Sequence, residues 1–139
     1  MTTTTINTIS ERSAVAKAST FDRTLPDYLH SIDIALARRG TRDALLVSVC
    51  KTQSWDKITA TFPYITSDNP EVRENMIATR AIAKWIEGDT EEALRLSAMH
   101  PEHYMCSLVH TLIVQDITPE RWIGIIENID LDTCYSFED

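Results

Sequence analysis

Glycine is scarce in this sequence, with 3 in 139 residues, at Gly40, Gly88 and Gly124. A β-sandwich or barrel turns every ~8–12 residues, usually on glycine, so the scarcity argues for helices. The three glycines also stand too far apart to cradle a phosphate. No apolar run approaches the ~18–20 residues of a membrane span, so no membrane partner is expected. The opening MTTTTINTISERS lacks the basic and apolar regions of a secretory signal, which predicts a cytoplasmic protein. Cysteine is sparse and odd in number, at Cys50, Cys106 and Cys134, which fits a reducing interior better than a disulfide framework or zinc knuckle. Bases are the minority charge, 13 against 21 acids, for a net charge of -8. Such a surface repels nucleic-acid phosphates, so direct nucleic-acid binding is not expected; the same charge also serves plain solubility.

What is present is a 43% hydrophobic chain of one-domain length, able to bury a core. The expectation is an all-α fold of about seven helices in antiparallel pairs, a tetratricopeptide-like bundle. Residues 1–20, rich in Thr, Ser and Ala, read as a flexible arm or a frayed helix beginning near Ser10. Residues 21–130 form the helical domain, and 131–139 an acidic tail.

Helix punctuation carries this reading. Thr24 is the expected N-cap of a first helix, with Pro26 in its first turn and Leu25, Leu29, Ile32 and Leu36 on one face. Gly40 is expected to close it. Arg42 to Cys50 is almost continuously apolar after RDA, a pattern ambiguous between buried strand and buried helix. With no partner strand in sight, it is read as a central helix. Trp55, Ile58, Thr59 and Phe62 mark a short helix stopped by Pro63. Asn69-Pro70-Glu71 starts a long one, with Val72, Met76, Thr79, Ala83 and Ile86 along one face and Ile77, Ile82 and Trp85 widening it. Gly88 ends it. Asp89 then caps a helix carrying Ala93, Leu94 and Leu96, with Glu92 expected to complete a capping box. That helix stops at His100-Pro101. Another is expected from Pro101, burying Met105, Leu108 or Val109, and Leu112. Thr118-Pro119-Glu120 starts the last, with Trp122, Ile123, Ile126 and Ile129 inward.

Two stretches echo one another: LARRGTRDALL at 36–46 and KWIEGDTEEALRL at 84–96. Each reads as a helix ending at glycine, a charged turn and an Ala-Leu restart, as in stacked helical pairs. The segments RDALL at 42–46, PEVRE at 70–74, AIAKWIEGDTEEALRLSAMHPEHYMCSLVHTLI at 81–113 and DITPERW at 116–122 carry a wider likeness. Through them, the chain resembles the C-terminal part of the actinobacterial domain of unknown function 4192 family. Members of that family have a longer N-terminal region, and here an arm and one helix precede the shared part. The resemblance implies ancestry and no activity, and it would suit an actinobacterial, plasmid or phage protein.

No catalytic signature is present: neither an H-x-E with a following C-x-x-C nor a G-x-S-x-G elbow occurs. The densest chemistry lies in HPEHYMCSLVH, where His103, Cys106 and His110 share a helix face. His103 and His110 are seven residues apart, roughly 10 Å at ~1.5 Å per residue, too far for one zinc ion. A Cys106–His110 nucleophile would need an exposed thiol of depressed pKa. No metal, cofactor or catalytic residue is therefore assigned.

Two charged features remain. Arg73, Arg80 and Lys84 line one face of the long helix and, with Arg38, Arg39 and Arg42, would make a basic patch. The plainer reading is a solvated face paired to Glu74, Glu87 or Glu91. The C-terminus holds Glu127, Asp130, Asp132, Tyr135, Phe137, Glu138 and Asp139 with no base among them, and these are the candidate protein-binding residues. The expected function is a non-enzymatic helical module that recognises another protein, with homo-oligomerisation also open. The alternative is a phage or mobile-element inhibitor whose acidic surface imitates nucleic acid and blocks a host defence or nucleic-acid-binding protein.

Overall fold

Ser10 begins the first helix. The computed structural model describes residues 10–136, and its first element, α1 (Glu11–Ala18), opens with the Ser10 hydroxyl accepting from the Ser13 N–H at 3.1 Å. Residues 1–9 of the expected arm lie outside the described residues. From Glu11 onward the second alternative holds, a helix beginning at Ser10, and it is a packed helix and not an arm. Ala14, Val15 and Ala18 are buried, and α1 packs on α2 (Tyr28–Ala35) and α3 (Arg39–Thr52). The three lie on one face at i, i+1 and i+4 but are small and few, and it is the neighbouring helices that make them a core face.

The start of α2 is also corrected. Thr24 caps nothing: its N–H and hydroxyl both donate to Asp22 Oδ1, at 3.0 and 2.6 Å, in the turn before the helix. The helix then begins at Tyr28 and buries Tyr28, Ser31, Ile32 and Ala35, with Ile32 and Leu36 inward as expected. Leu29, expected inward, is 60% exposed. Gly40 does not close α2 either; it is buried in the first turn of α3. The internal echo therefore fails at its glycine.

α3 is the central helix expected from the apolar run, with Ala44 to Val47, Val49 and Cys50 all buried. After α4 (Trp55–Thr61), Pro63 lies inside a 3₁₀ turn, Phe62–Tyr64. α5 (Pro70–Ile86) begins as expected, the Asn69 side chain accepting from the Glu71 N–H at 2.9 Å. Its end is a Schellman motif: Gly88 (φ 91) donates to the Trp85 carbonyl and Asp89 to that of Lys84. α3 and α7 (Tyr104–Val114) close in the same way, but on Gln53 (φ 54) and Asp116 (φ 55). Only one of these three stops bears glycine, which is why the others escape a reading by punctuation.

Asp89 caps α6 (Thr90–Ser97) through the Glu92 N–H at 3.2 Å. The reciprocal half of the capping box does not form, because the Glu92 carboxylate takes Arg95 and the Asp89 N–H is used in the Schellman motif. α7 starts three residues later than expected, at Tyr104 and not Pro101, because His103 is its cap. α8 (Pro119–Ile126) is capped by Thr118, as its sequence indicates. One more helix follows, α9 (Leu131–Ser136), where a tail was expected; Cys134 anchors it in the core against α3.

Among the described residues there are nine α-helices and no strand, with α1/α2, α4/α5, α5/α6, α6/α7 and α3/α9 packed as pairs. No helix among them is long and apolar enough to cross a membrane. At the centre, Trp122 of α8 lies 6.0 Å from both Trp55 of α4 and Trp85 of α5, tilted against the first and edge-on to the second.

Candidate functional site

Four helices leave a cleft of ≈ 270 Å³ beside the Trp122 ring. α3 contributes Arg39, Asp43 and Leu46 at i, i+4 and i+7; α7 contributes Tyr104 and Leu108; α8 and the turn after it contribute Trp122, Ile126 and Ile129; α9 contributes Cys134. Helical spacing thus lays one stripe from each longer element along the cleft. The floor is apolar and the rim charged. At the mouth, Tyr104 is 59% exposed and the Arg39 guanidinium carbon sits 4.7 Å from its ring centroid. Arg39 also approaches Asp43 at 4.0 Å. These contacts hold an aromatic edge and a cation at the entrance.

Beneath the rim, Arg42 is buried and fully committed to structure. Its Nε and Nη2 donate to Asp43 Oδ1 at 3.1 and 3.0 Å, and its Nη1 donates to Asn75 Oδ1 at 3.1 Å. Asn75, buried in α5, donates from Nδ2 to the Leu36 carbonyl at 2.8 Å. The His103 ring completes the network. Its Nδ1 accepts from the Met105 N–H at 3.2 Å, so the ring proton belongs on Nε2, which donates to Asn75 Oδ1 at 2.8 Å. One amide therefore ties the end of α2, α3, α5 and the start of α7 together, beside the cleft.

Burial, and after it Arg42, holds His103 below its usual pKa; His100 adds to this and Glu74 opposes it. The unfolded chain takes up this proton near pH 6.5, and the folded chain only at lower pH. The His103 contribution to stability should thus be complete above about pH 6.5 and decline as pH falls toward the folded pKa. Urea midpoints followed from about pH 7.5 to 5 in the parent and in His103→Gln should converge at the acid end. Parallel curves would refute the assignment.

The other residues singled out by the sequence scatter over the fold. Cys106 is an interior thiol, pushed by burial up to about 11, and His110 is exposed. Asp132 is not uncompensated as expected: Arg12 of α1 reaches it at 2.7 Å, and the Arg12 guanidinium carbon stands 4.3 Å over the Tyr135 ring. The Tyr135 carbonyl accepts from Arg38, whose guanidinium also grips Glu11. The bases missing from the tail's own sequence come from the other end of the chain. Glu127 is exposed, and Asp130 accepts from the Asp132 N–H at 3.1 Å in starting α9. Phe137, Glu138 and Asp139 lie outside the described residues.

The expected basic patch is divided as well. Arg38 belongs to Glu11, Arg42 to the buried network and Lys84 to Glu87 at 3.9 Å, while Arg73 donates to the Ser67 carbonyl at 2.8 Å. Periodicity and motif spacing miss Asn75 altogether. Its one signal is a lone amide a single position from Met76, inside the apolar stripe of α5. No family model matches the chain, and neither a curated protein nor a solved structure matches it.

Proposed function

We propose that this chain is a non-enzymatic protein-interaction module that receives one apolar anchor side chain of a partner protein in the cleft between α3, α7, α8 and α9. The observation that carries it is the cleft itself: an apolar floor of Leu46, Leu108 and Trp122 beneath a rim of Arg39 and exposed Tyr104. At ≈ 270 Å³ it falls below the roughly 300–1,000 Å³ of small-molecule sites. It suits a single buried aromatic or aliphatic anchor ringed by polar contacts, the usual form of an interface hot spot. The acidic-mimic alternative rests on the net charge of -8, and the Arg12–Asp132 pair takes part of the tail's charge from it. Three free, buried cysteines support action in a reducing compartment such as the cytoplasm. The quoted motifs support descent alongside the C-terminal part of the domain of unknown function 4192 family.

Affinity capture from candidate host extracts, run in parallel with the parent and with Leu108→Arg, tests the cleft. A genuine partner should be held by the parent and lost by Leu108→Arg, with Tyr104→Ala weakening it by roughly tenfold, as truncation of an aromatic hot spot does. Equal capture by the parent and both variants, each shown to be folded, would sink the proposal.

A further inference from the structure

A second surface runs along α5 and shares no lining residue with the cleft. Arg73, Glu74, Ile77 and Arg80 follow one another along the helix face, and a groove of ≈ 380 Å³ is closed by Phe62, Ile65 and the Met99-His100 turn. Its floor is apolar, and Met99 at its edge is 50% exposed. Arg80 is half-buried and, among the described residues, makes no hydrogen bond or ion pair. Burial lowers its pKa, with Glu92 of α6 opposing that and Arg95 adding to it. Arg73 is exposed and, among the described residues, its side chain donates to a carbonyl and forms no ion pair. Among the described residues Glu74 is the one acid lining the groove, set against Arg73 and Arg80. On a chain of net charge -8, this is a local reversal of sign.

We infer that this groove docks an acidic amphipathic helix of a partner protein, its carboxylates meeting Arg73 and Arg80 and its apolar side chains seated between them on Ile77 and Met99. The spacing argues for a helix. Arg73 and Arg80 stand seven residues apart, about 10 Å along α5, which is the rise between acids at i and i+7 of a helix lying alongside. Carboxylates two turns apart, with leucine at i+3 or i+4, match both the charges and the floor. A nucleic acid fits less well, because it needs a run of cations and stacking surfaces where this groove offers two arginines over aliphatic side chains. A second copy of the chain would have to bring together two molecules of charge -8.

The test uses a fluorescein-labelled helical peptide of about 18 residues, long enough to hold its helix. It carries glutamates seven apart and leucines between; its partner peptide has glutamine at the glutamate positions. Fluorescence anisotropy with the full chain should show binding of the glutamate peptide that weakens as salt rises, and roughly tenfold weaker binding of the glutamine form. Arg80→Glu should abolish binding. Arg80→Met, which keeps the packing stem, should reproduce the glutamine loss if the charge matters. Leu108→Arg should leave binding unchanged, so the groove and the cleft fail separately. Several results would overturn the inference: no binding by the glutamate peptide, equal binding of the two peptides, or full binding by a folded Arg80→Met. Tighter binding of a single-stranded oligonucleotide of equal charge would do the same. So would self-association that Arg80→Glu dissolves, which would make the groove an interface between copies.

Discussion

Truncating Trp122 to alanine should lower the urea midpoint by about 2 M, for a loss of roughly 3–5 kcal/mol at the slopes usual for a domain of this size. The magnitude follows from where the ring sits. It is 7% exposed, and it touches Trp55 and Trp85, so its removal empties the junction of α4, α5 and α8. Each aromatic pair adds about 0.5–1.5 kcal/mol beyond area burial, and both pairs are lost with the ring. Against a total stability of about 5–15 kcal/mol, the loss is a large fraction. Because Trp122 also forms the cleft floor, Trp122→Phe should keep most of the stability while enlarging the cleft. A midpoint for Trp122→Ala within about 0.3 M of the parent would remove the ring from the core.

The second large effect is expected at Asn75. Asn75→Ala should destabilise the fold by about 3 kcal/mol, since it strips one partner each from the Arg42 guanidinium, the Leu36 carbonyl and the His103 ring in a buried setting. The outcome separates two views of this residue. If Asn75 merely fills space on α5, Asn75→Leu, of similar volume and more apolar, should match or exceed the parent. If it joins four elements, Asn75→Leu should fall nearly as far as Asn75→Ala, because a leucine cannot satisfy a buried guanidinium. Equilibrium urea unfolding of the three proteins decides this, and a stable Asn75→Leu would refute the joining role. The double variant His103→Gln/Asn75→Ala should lose less than the sum of its parts, as residues in one network do.

The cleft and the α5 groove differ in how legible they are in the sequence. Periodicity marks Leu108, Trp122, Ile126 and Ile129 as inward, yet nothing in one helix says that four such stripes leave a gap where they meet. Arg73 and Arg80 are visible as a charged face. Their pairing is not, since Arg80 has no acid three or four residues away on its own helix, and only the fold decides which groups of other elements come near it. Asp132 shows the converse, for its partner Arg12 lies 120 residues away in the chain.

By itself the sequence determined the helical class, the body of α3 from Arg42 to Cys50, the caps of α5, α6 and α8, and the burial of Trp85 and Trp122. Each of these rests on chemistry within a few residues: a side-chain oxygen over orphan N–H groups, a proline that cannot donate, an apolar period near 3.6. Tertiary structure alone decided most of the rest. It made α1 a core helix and α9 more than a tail, because small or mixed segments become helical faces only when another helix covers them. The later start of α2 belongs with neither: the Asp22–Thr24 turn that consumed the expected cap is local, yet periodicity does not show it. Tertiary structure also brought Leu36, Arg42, Asn75 and His103 into one network, since buried polar groups must find partners wherever the chain supplies them, regardless of separation along it.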